Sequence, residues 1–296
     1  MKILSFVLST FVLVIGVAAT APAQTRPEDG RAELFKYDQN SPTVFKEVSS
    51  EKRGDVVVRD ITFLDGSVKA YLVVPPGSGP FAGMLWVHWL GAEKSNRTQF
   101  LDEAVDLAQK GVVSLLVDAM WATPRWFGSR ILENDYENSI RQVIQLRRAL
   151  DLLLSQSNVD RTRVGFVGHD YGAMYGMLMA GVEKRVKTYV FIAATQSLND
   201  WAFLGPQPKS KAAYLKQNAN LELTDSLRES KSASTFFQFG KADFYVSGAD
   251  AAILFAAASE PKQRRAYDAP HEMTLKEIAS DRDEWLVKEL KLGKQE

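Results

Sequence analysis

The sequence predicts an α/β protein with a mostly parallel sheet covered by helices on both faces. Three observations carry that expectation. Short, almost wholly apolar runs such as FAGMLWVHWLG (81–91) and VVSLLVDA (112–119) have the pattern of parallel strands buried on both sides. Segments with helical apolar spacing fall between such runs, so the chain reads strand, helix, strand, helix. A length of 296 residues, with 46% hydrophobic and 24% charged residues, fits one large globular domain better than two.

The elements follow in order. Residues 1–23 have the form of a secretory signal. Lys2 is a short positive n-region, Ile3–Ala19 is apolar, and APA before Gln24 is a small-residue cleavage pattern, with cleavage expected after Ala23. An uncleaved anchor is the competing reading, and the apolar run is short for a membrane span. The mature chain is therefore expected to be secreted or periplasmic, without stable membrane association. Residues 24–54 are polar and weakly patterned and read as an irregular leader; the domain proper runs over 55–296. DVVVRDITFLDGSVKAYLVVP (55–75) alternates about Asp65-Gly66 and predicts a hairpin. RTQFLDEAVDLAQKG (97–111) predicts a helix ending at Gly111, and NDYENSIRQVIQLRRALDLLLSQS (134–157) a long amphipathic one. RVGFVGH (163–169) is a strand and YGAMYGMLMAGV (171–182) a helix. KTYVFIAAT, STFFQFG and RRAYDAP supply further strands, and TLKEIASDRDEWLVKELKL (274–292) a closing helix. Residues 201–230 break the alternation with a Pro-rich turn and one or two polar helices; they read as a small lid or as a plain surface excursion.

Composition removes several function classes. Lys+Arg and Asp+Glu are both 36, so no basic field points to nucleic acid or to an anionic membrane. The chain has no cysteine, which excludes disulfides, thiol nucleophiles and cysteine metal sites. No Gly-rich phosphate loop and no metal-spaced histidine cluster suggests a cofactor or metal, so a small-molecule substrate is the expected partner.

The stretch VGFVGHDYGAMYG (164–176) carries the chemistry. A tight turn from strand to helix lifts one side chain clear of the backbone and aims the following N–H groups at whatever that side chain attacks. Such a turn needs small residues two positions before and two after, and here Gly168 and Gly172 flank Asp170. GHDYG resembles the nucleophile elbow of the aspartate-using α/β-hydrolases, the epoxide hydrolases and haloalkane dehalogenases. VHWLG, QLRRALDLLLSQSNVDRTRVGFVGHDYGAM and FGKADFYVS resemble the dienelactone hydrolase-like branch of the same superfamily, over about residue 55 to the C-terminus. Most members of that branch carry serine or cysteine where this chain has Asp170.

The resemblance implies an α/β-hydrolase fold and a triad in the order nucleophile, acid, histidine. His271 in YDAPHEM lies where the family's catalytic histidine lies, and Asp243 in FGKAD matches its acid, with Asp200 as runner-up. An oxyanion hole would be built from the backbone N–H groups of Trp89 and Tyr171. His88, Trp89, Tyr175, Trp201 and Tyr214 are expected to line the pocket, and His169 to pack or orient the turn. Tyr171, Tyr175, Tyr214 and Tyr245 are candidate proton donors to an epoxide oxygen, and Trp89, Trp121 and Trp201 candidate N–H donors to a halide. Arg125 or Arg130 would bind a substrate carboxylate, or stay solvated. A carboxylate is a poor attacker of esters and a competent attacker of saturated carbon with a good leaving group. The expectation is an exported hydrolase with an Asp170–His271–Asp243 triad acting on an epoxide or haloalkane. The alternatives are a dienelactone hydrolase-like esterase or lactonase, and a catalytically silent binding domain of the same fold.

Overall fold

Among the described residues, nine strands form a single sheet in the order β1-β2-β3-β5-β4-β6-β7-β8-β9. The structure is a computed structural model and describes residues 29–293. The expected signal at 1–23 lies outside the described residues. The chain begins with helix α1 (Asp29–Leu34) and then runs through β1 (Phe45–Arg53), β2 (Val56–Phe63) and β3 (Val68–Val74), joined as antiparallel neighbours. The Asp65-Gly66 hairpin is present, and its turn residues Leu64, Asp65 and Gly66 all have positive φ. The leader is less irregular than its composition suggests. Its helix is tied to the body by Arg31, which bonds Ser226 Oγ at 2.6 Å. The turn before β1 is held by Arg148, which donates to the carbonyls of Asp38, Ser41 and Pro42. β1 alternates too weakly to read as a strand because it is an edge strand with both faces largely exposed.

β3 pairs antiparallel with β5 (Val112–Val117), and from β5 the sheet is parallel through β4 (Phe81–Val87), β6 (Val159–His169), β7 (Thr188–Ile192), β8 (Ser234–Gly240) and β9 (Lys262–Tyr267). Every residue of β4 and β5 is buried. The reason is visible along β4: Ala82, Met84 and Trp86 pack on one face with α2 (Leu101–Ala108) and α10 (Lys276–Glu289). Leu85 and Val87 pack on the other with α4 (Asp135–Leu154), α5 (Tyr171–Val182), α8 (Leu223–Glu229) and α9 (Gly248–Ala257). Short α3 (Trp126–Ser129) follows β5, and α6 (Leu198–Ala202) and α7 (Lys211–Gln217) follow β7. The predicted lid span of 201–230 therefore starts inside α6 and takes in α8, whose Leu227 belongs to the main core; α8 is the crossover helix back to β8, and only α6 and α7 form an insertion.

Candidate active site

Asp170 sits between β6 and α5 with φ 52 and ψ −117. A non-glycine residue in this region is strained, at a cost of order 1–3 kcal/mol, and persists only where its surroundings over-determine it. Here Asp170 N donates to Ile192 O at 2.8 Å and Met174 N to Asp170 O at 2.9 Å. The two flanking glycines are steric necessities. A Cβ on Gly168 would lie 2.4 Å from Gly172 O, and one on Gly172 would lie 2.3 Å from Val87 O.

The carboxyl group is 0% exposed. Its two oxygens have different surroundings. Oδ2 accepts from Leu90 N at 3.0 Å, and the Tyr171 N–H at the first turn of α5 also favours the ionised carboxyl group. Oδ1 is buried and has no hydrogen-bond partner, and lies 3.8 Å from His271 Nε2, which is equally unpartnered. Burial pushes the Asp170 carboxyl up to about 6, while the His271 charge and the two backbone donors pull the other way.

Asp170, His271 and Asp243 come together from three separate loops at the C-terminal ends of the strands. His271 Nδ1 donates to Asp243 Oδ2 at 2.8 Å. Asp243 Oδ1 in turn accepts from Tyr245 N at 2.8 Å and Val246 N at 3.0 Å, which fixes the carboxylate plane. Burial disfavours the His271 imidazolium, but the Asp243 hydrogen bond and the charges of Asp170 and Asp243 outweigh it, so its pKa is raised. Asp200, the runner-up acid, is exposed on α6, and Asp268 pairs with Lys241 at 2.9 Å.

The loop expected to supply the oxyanion hole presents to Asp170 the N–H of the residue after Trp89. Trp89 N donates to Gln99 Oε1 at 2.8 Å and is spent there, so Leu90 N–H is the group that reaches the carboxylate. The direction of successive peptide N–H groups depends on local dihedrals, and no residue identity in VHWLG reveals it.

The expected pocket residues divide. The Trp201 ring lies 5.4 Å from the His271 ring, and the Trp89 ring 6.2 Å from it. Tyr245 meets His271 edge-on at 5.2 Å. His88 does not line a pocket: it is 1% exposed, bonds Trp89 O through Nδ1 and accepts from Ala119 N through Nε2. With Nε2 as acceptor it is neutral, and burial lowers its pKa to about 4. Tyr175 and Tyr214 spend their hydroxyls on Ser139 (2.8 Å) and Asp135 (2.9 Å). They line, with Tyr171, Arg130 and Asp135, a cavity of about 20 Å³, room for one water, whose lining includes neither Asp170 nor His271. Arg130 is buried and donates to Phe127 O and Ala202 O, while Arg125 is exposed. Among the three tryptophans proposed as halide donors, Trp89 Nε1 is spent on Glu93 O and Trp121 Nε1 on His88 O. Trp201 Nε1 is buried without a partner.

The same architecture recurs widely among solved structures. An acetyl xylan esterase from Paenibacillus sp. R4 matches with a TM-score of 0.72 at 16% identity, over 88% of this chain and 93% of that one. The α/β hydrolase GrgF from Penicillium sp. matches with a TM-score of 0.56 at 14% identity, over 84% and 99%. The chain has the α/β-hydrolase fold. An S-formylglutathione hydrolase from Agrobacterium tumefaciens shares it with a TM-score of 0.63 at 14% identity, over 83% and 99%. No family model and no curated protein matches the sequence. Within the α/β-hydrolase fold, Asp170 occupies the strand-to-helix elbow, and Asp243 and His271 follow β8 and β9.

Proposed function

We propose that this α/β-hydrolase-fold protein is a hydrolase that uses the Asp170 carboxylate to attack saturated carbon in a small electrophile, a haloalkane or an epoxide. One observation supports the reading: Leu90 N–H already donates to an oxygen of the protein itself, Asp170 Oδ2, and we take Leu90 N–H with Tyr171 N–H as the hole. An ester substrate needs that hole for its own carbonyl oxygen, so the arrangement disfavours direct attack on an acyl group. It suits a reaction in which the carbonyl to be activated belongs to the enzyme.

The steps balance as follows. Asp170 Oδ1 bonds to the substrate carbon while the carbon–halogen or carbon–oxygen bond breaks and its electron pair leaves with the halide or the epoxide oxygen. Trp201 Nε1–H is the donor available to the leaving atom, and an epoxide oxygen takes a proton, with Tyr245 the candidate donor beside His271. The product is an alkyl ester of Asp170. His271 Nε2 then removes a proton from water, and the resulting hydroxide adds to Cγ of Asp170. The tetrahedral oxyanion forms on Oδ2, already in the hole at the N-terminus of α5, where the helix dipole favours negative charge. Each such donor contributes about 3–4 kcal/mol to that step. Collapse expels the alkoxide, which takes the proton from His271; the Asp170 carboxyl, now holding one oxygen from water, releases its remaining proton to solvent, or to the Tyr245 phenolate when the substrate is an epoxide, and returns as the carboxylate.

A single turnover in H₂¹⁸O with enzyme in excess, using 1-bromohexane or styrene oxide, is expected to label the Asp170 peptide and leave the first product unlabelled. Label appearing in the product alone would overturn the reading, as would p-nitrophenyl ester hydrolysis that survives Asp170→Asn. The apolar residues 3–19 support export as the setting of this activity.

A further inference from the structure

Behind the reacting groups runs a chain of hydrogen bonds that the chemistry above does not use. Trp89 N donates to Gln99 Oε1 (2.8 Å), Gln99 Nε2 contacts His169 Nδ1 (2.7 Å), and His169 Nε2 contacts His271 O (2.9 Å). Only one assignment of protons satisfies it. A backbone N–H can only donate, so the amide oxygen of Gln99 faces Trp89 and its NH₂ faces His169. Nδ1 must then accept, which leaves the proton on Nε2, where it donates to the His271 carbonyl. Burial holds His169 neutral, as this requires.

We propose that Gln99 is a positioning residue that acts through His169 to fix both the oxyanion loop and the loop bearing His271. The proposal rests on the roles given above to Leu90, Asp170 and His271. The peptide carrying the Leu90 N–H is pinned at its carbonyl end, where Trp89 O accepts from His88 Nδ1 (2.8 Å) and Ser95 Oγ (3.1 Å). The preceding peptide is pinned by Gln99. Together they leave Leu90 N–H, not Trp89 N–H, pointing at Asp170. At the other end, His169 holds the peptide that follows His271 and so sets the direction of its side chain toward Asp243. Trp89 stacks on His169 with ring centroids 5.2 Å apart and planes 7° apart, which couples the two loops a second time.

The mount for Gln99 is rigid. Arg97, two residues earlier, donates to Asp118 through its backbone N (2.7 Å) and side chain (2.8 Å) and to Asp60 (2.9 Å), and lies over the Tyr71 ring. A surface glutamine would need no such anchorage.

The test uses the full chain and two independent readouts. ¹⁵N-histidine NMR is expected to show His169 as the Nε2–H tautomer throughout about pH 5 to 9; an Nδ1–H tautomer overturns the proposal. In Gln99→Glu the carboxylate draws a proton onto His169, and the new charge beside His271 lowers the His271 midpoint by about half a pH unit or more; an unchanged midpoint overturns it. The kinetic readout is single turnover of 1-bromohexane. Gln99→Leu is expected to slow breakdown of the Asp170 ester by about tenfold or more, while its formation changes by less than about threefold. His169→Gln, which keeps one acceptor and one donor, is expected to remain within about threefold of wild type. Equal slowing of both steps in Gln99→Leu, or equal loss in Gln99→Leu and His169→Gln, marks a merely structural role and overturns the proposal. If no ester forms on Asp170 in the wild-type protein, the reading of Asp170 fails, and the His169 tautomer and His271 midpoint decide the relay by themselves.

Discussion

Replacing Asp170 with asparagine is expected to abolish turnover and yet make the folded protein more stable at neutral and alkaline pH. Burial raises this carboxyl from 3.8 to about 6. A raised carboxyl stabilises the fold fully only below its unfolded value, and that contribution is lost as pH rises through about 6. At 1.36 kcal/mol per pH unit, the ionised group costs the fold about 3 kcal/mol by pH 8. Asparagine removes the charge and keeps the shape. Its amide oxygen can still accept from Leu90 N–H, and its NH₂ faces His271 Nε2. Loss of the favourable charge at the start of α5 returns roughly 0.3–1 kcal/mol, so a net gain of about 2–3 kcal/mol remains. For a domain of this size that is roughly 5–10 °C in melting temperature. Urea and thermal unfolding at pH 5, 6.5 and 8 would measure it, and the gain should grow with pH. A variant less stable than wild type at pH 8, or one with the same gain at pH 5 and 8, would refute the argument that desolvation dominates at Asp170.

Other predictions follow from the same geometry. His271 must be neutral to take a proton, and its pKa is raised, so activity should fall as pH drops through that value; Asp243→Asn removes the hydrogen bond that helps raise it and should move the acidic limb of the pH–rate profile lower, while cutting the plateau rate by about 10²-fold or more. Gly172→Ala places a methyl 2.3 Å from Val87 O, and the urea midpoint should report a loss of about 2–3 kcal/mol or more. Trp201→Phe keeps the ring beside His271 and deletes the free Nε1–H; rapid-quench measurement should show ester formation slowed by about tenfold with ester breakdown unchanged. Mass spectrometry of chain recovered from a bacterial periplasm should give an N-terminus at Gln24.

The parallel core was legible because β4 and β5, buried on both faces, carry continuous apolar runs with few alternative readings. The elbow was legible because tight backbone geometry demands Gly168 and Gly172 whatever the chemistry. His271 stood out partly because the chain has only three histidines. Other features left weaker traces. α9, GADAAILFAA, is absent from the strand-and-helix pattern drawn from the sequence because it is apolar nearly all round and shows no face; its capping box, Ser247 with Asp250, was the available signal. β1 is an exposed edge held by partners distant in sequence. That Leu90 N–H and not Trp89 N–H faces Asp170 is not legible in VHWLG, since the orientation of the peptide planes is set by Gln99, His88 and Ser95. His88 and Tyr175 were placed in the pocket by their chain positions, but each satisfies its polar atoms within the core.

The inequality of the two oxygens on Asp170 has a stereochemical consequence. In the proposed reaction, with Oδ2 tethered, attack comes only from Oδ1, along one line and opposite the departing atom. The second step breaks a bond at the enzyme's own carbon and never touches the substrate's centre. A chiral secondary bromide should therefore emerge as the alcohol of opposite handedness, and a racemic product would mean that the carbon had become a free cation on the way.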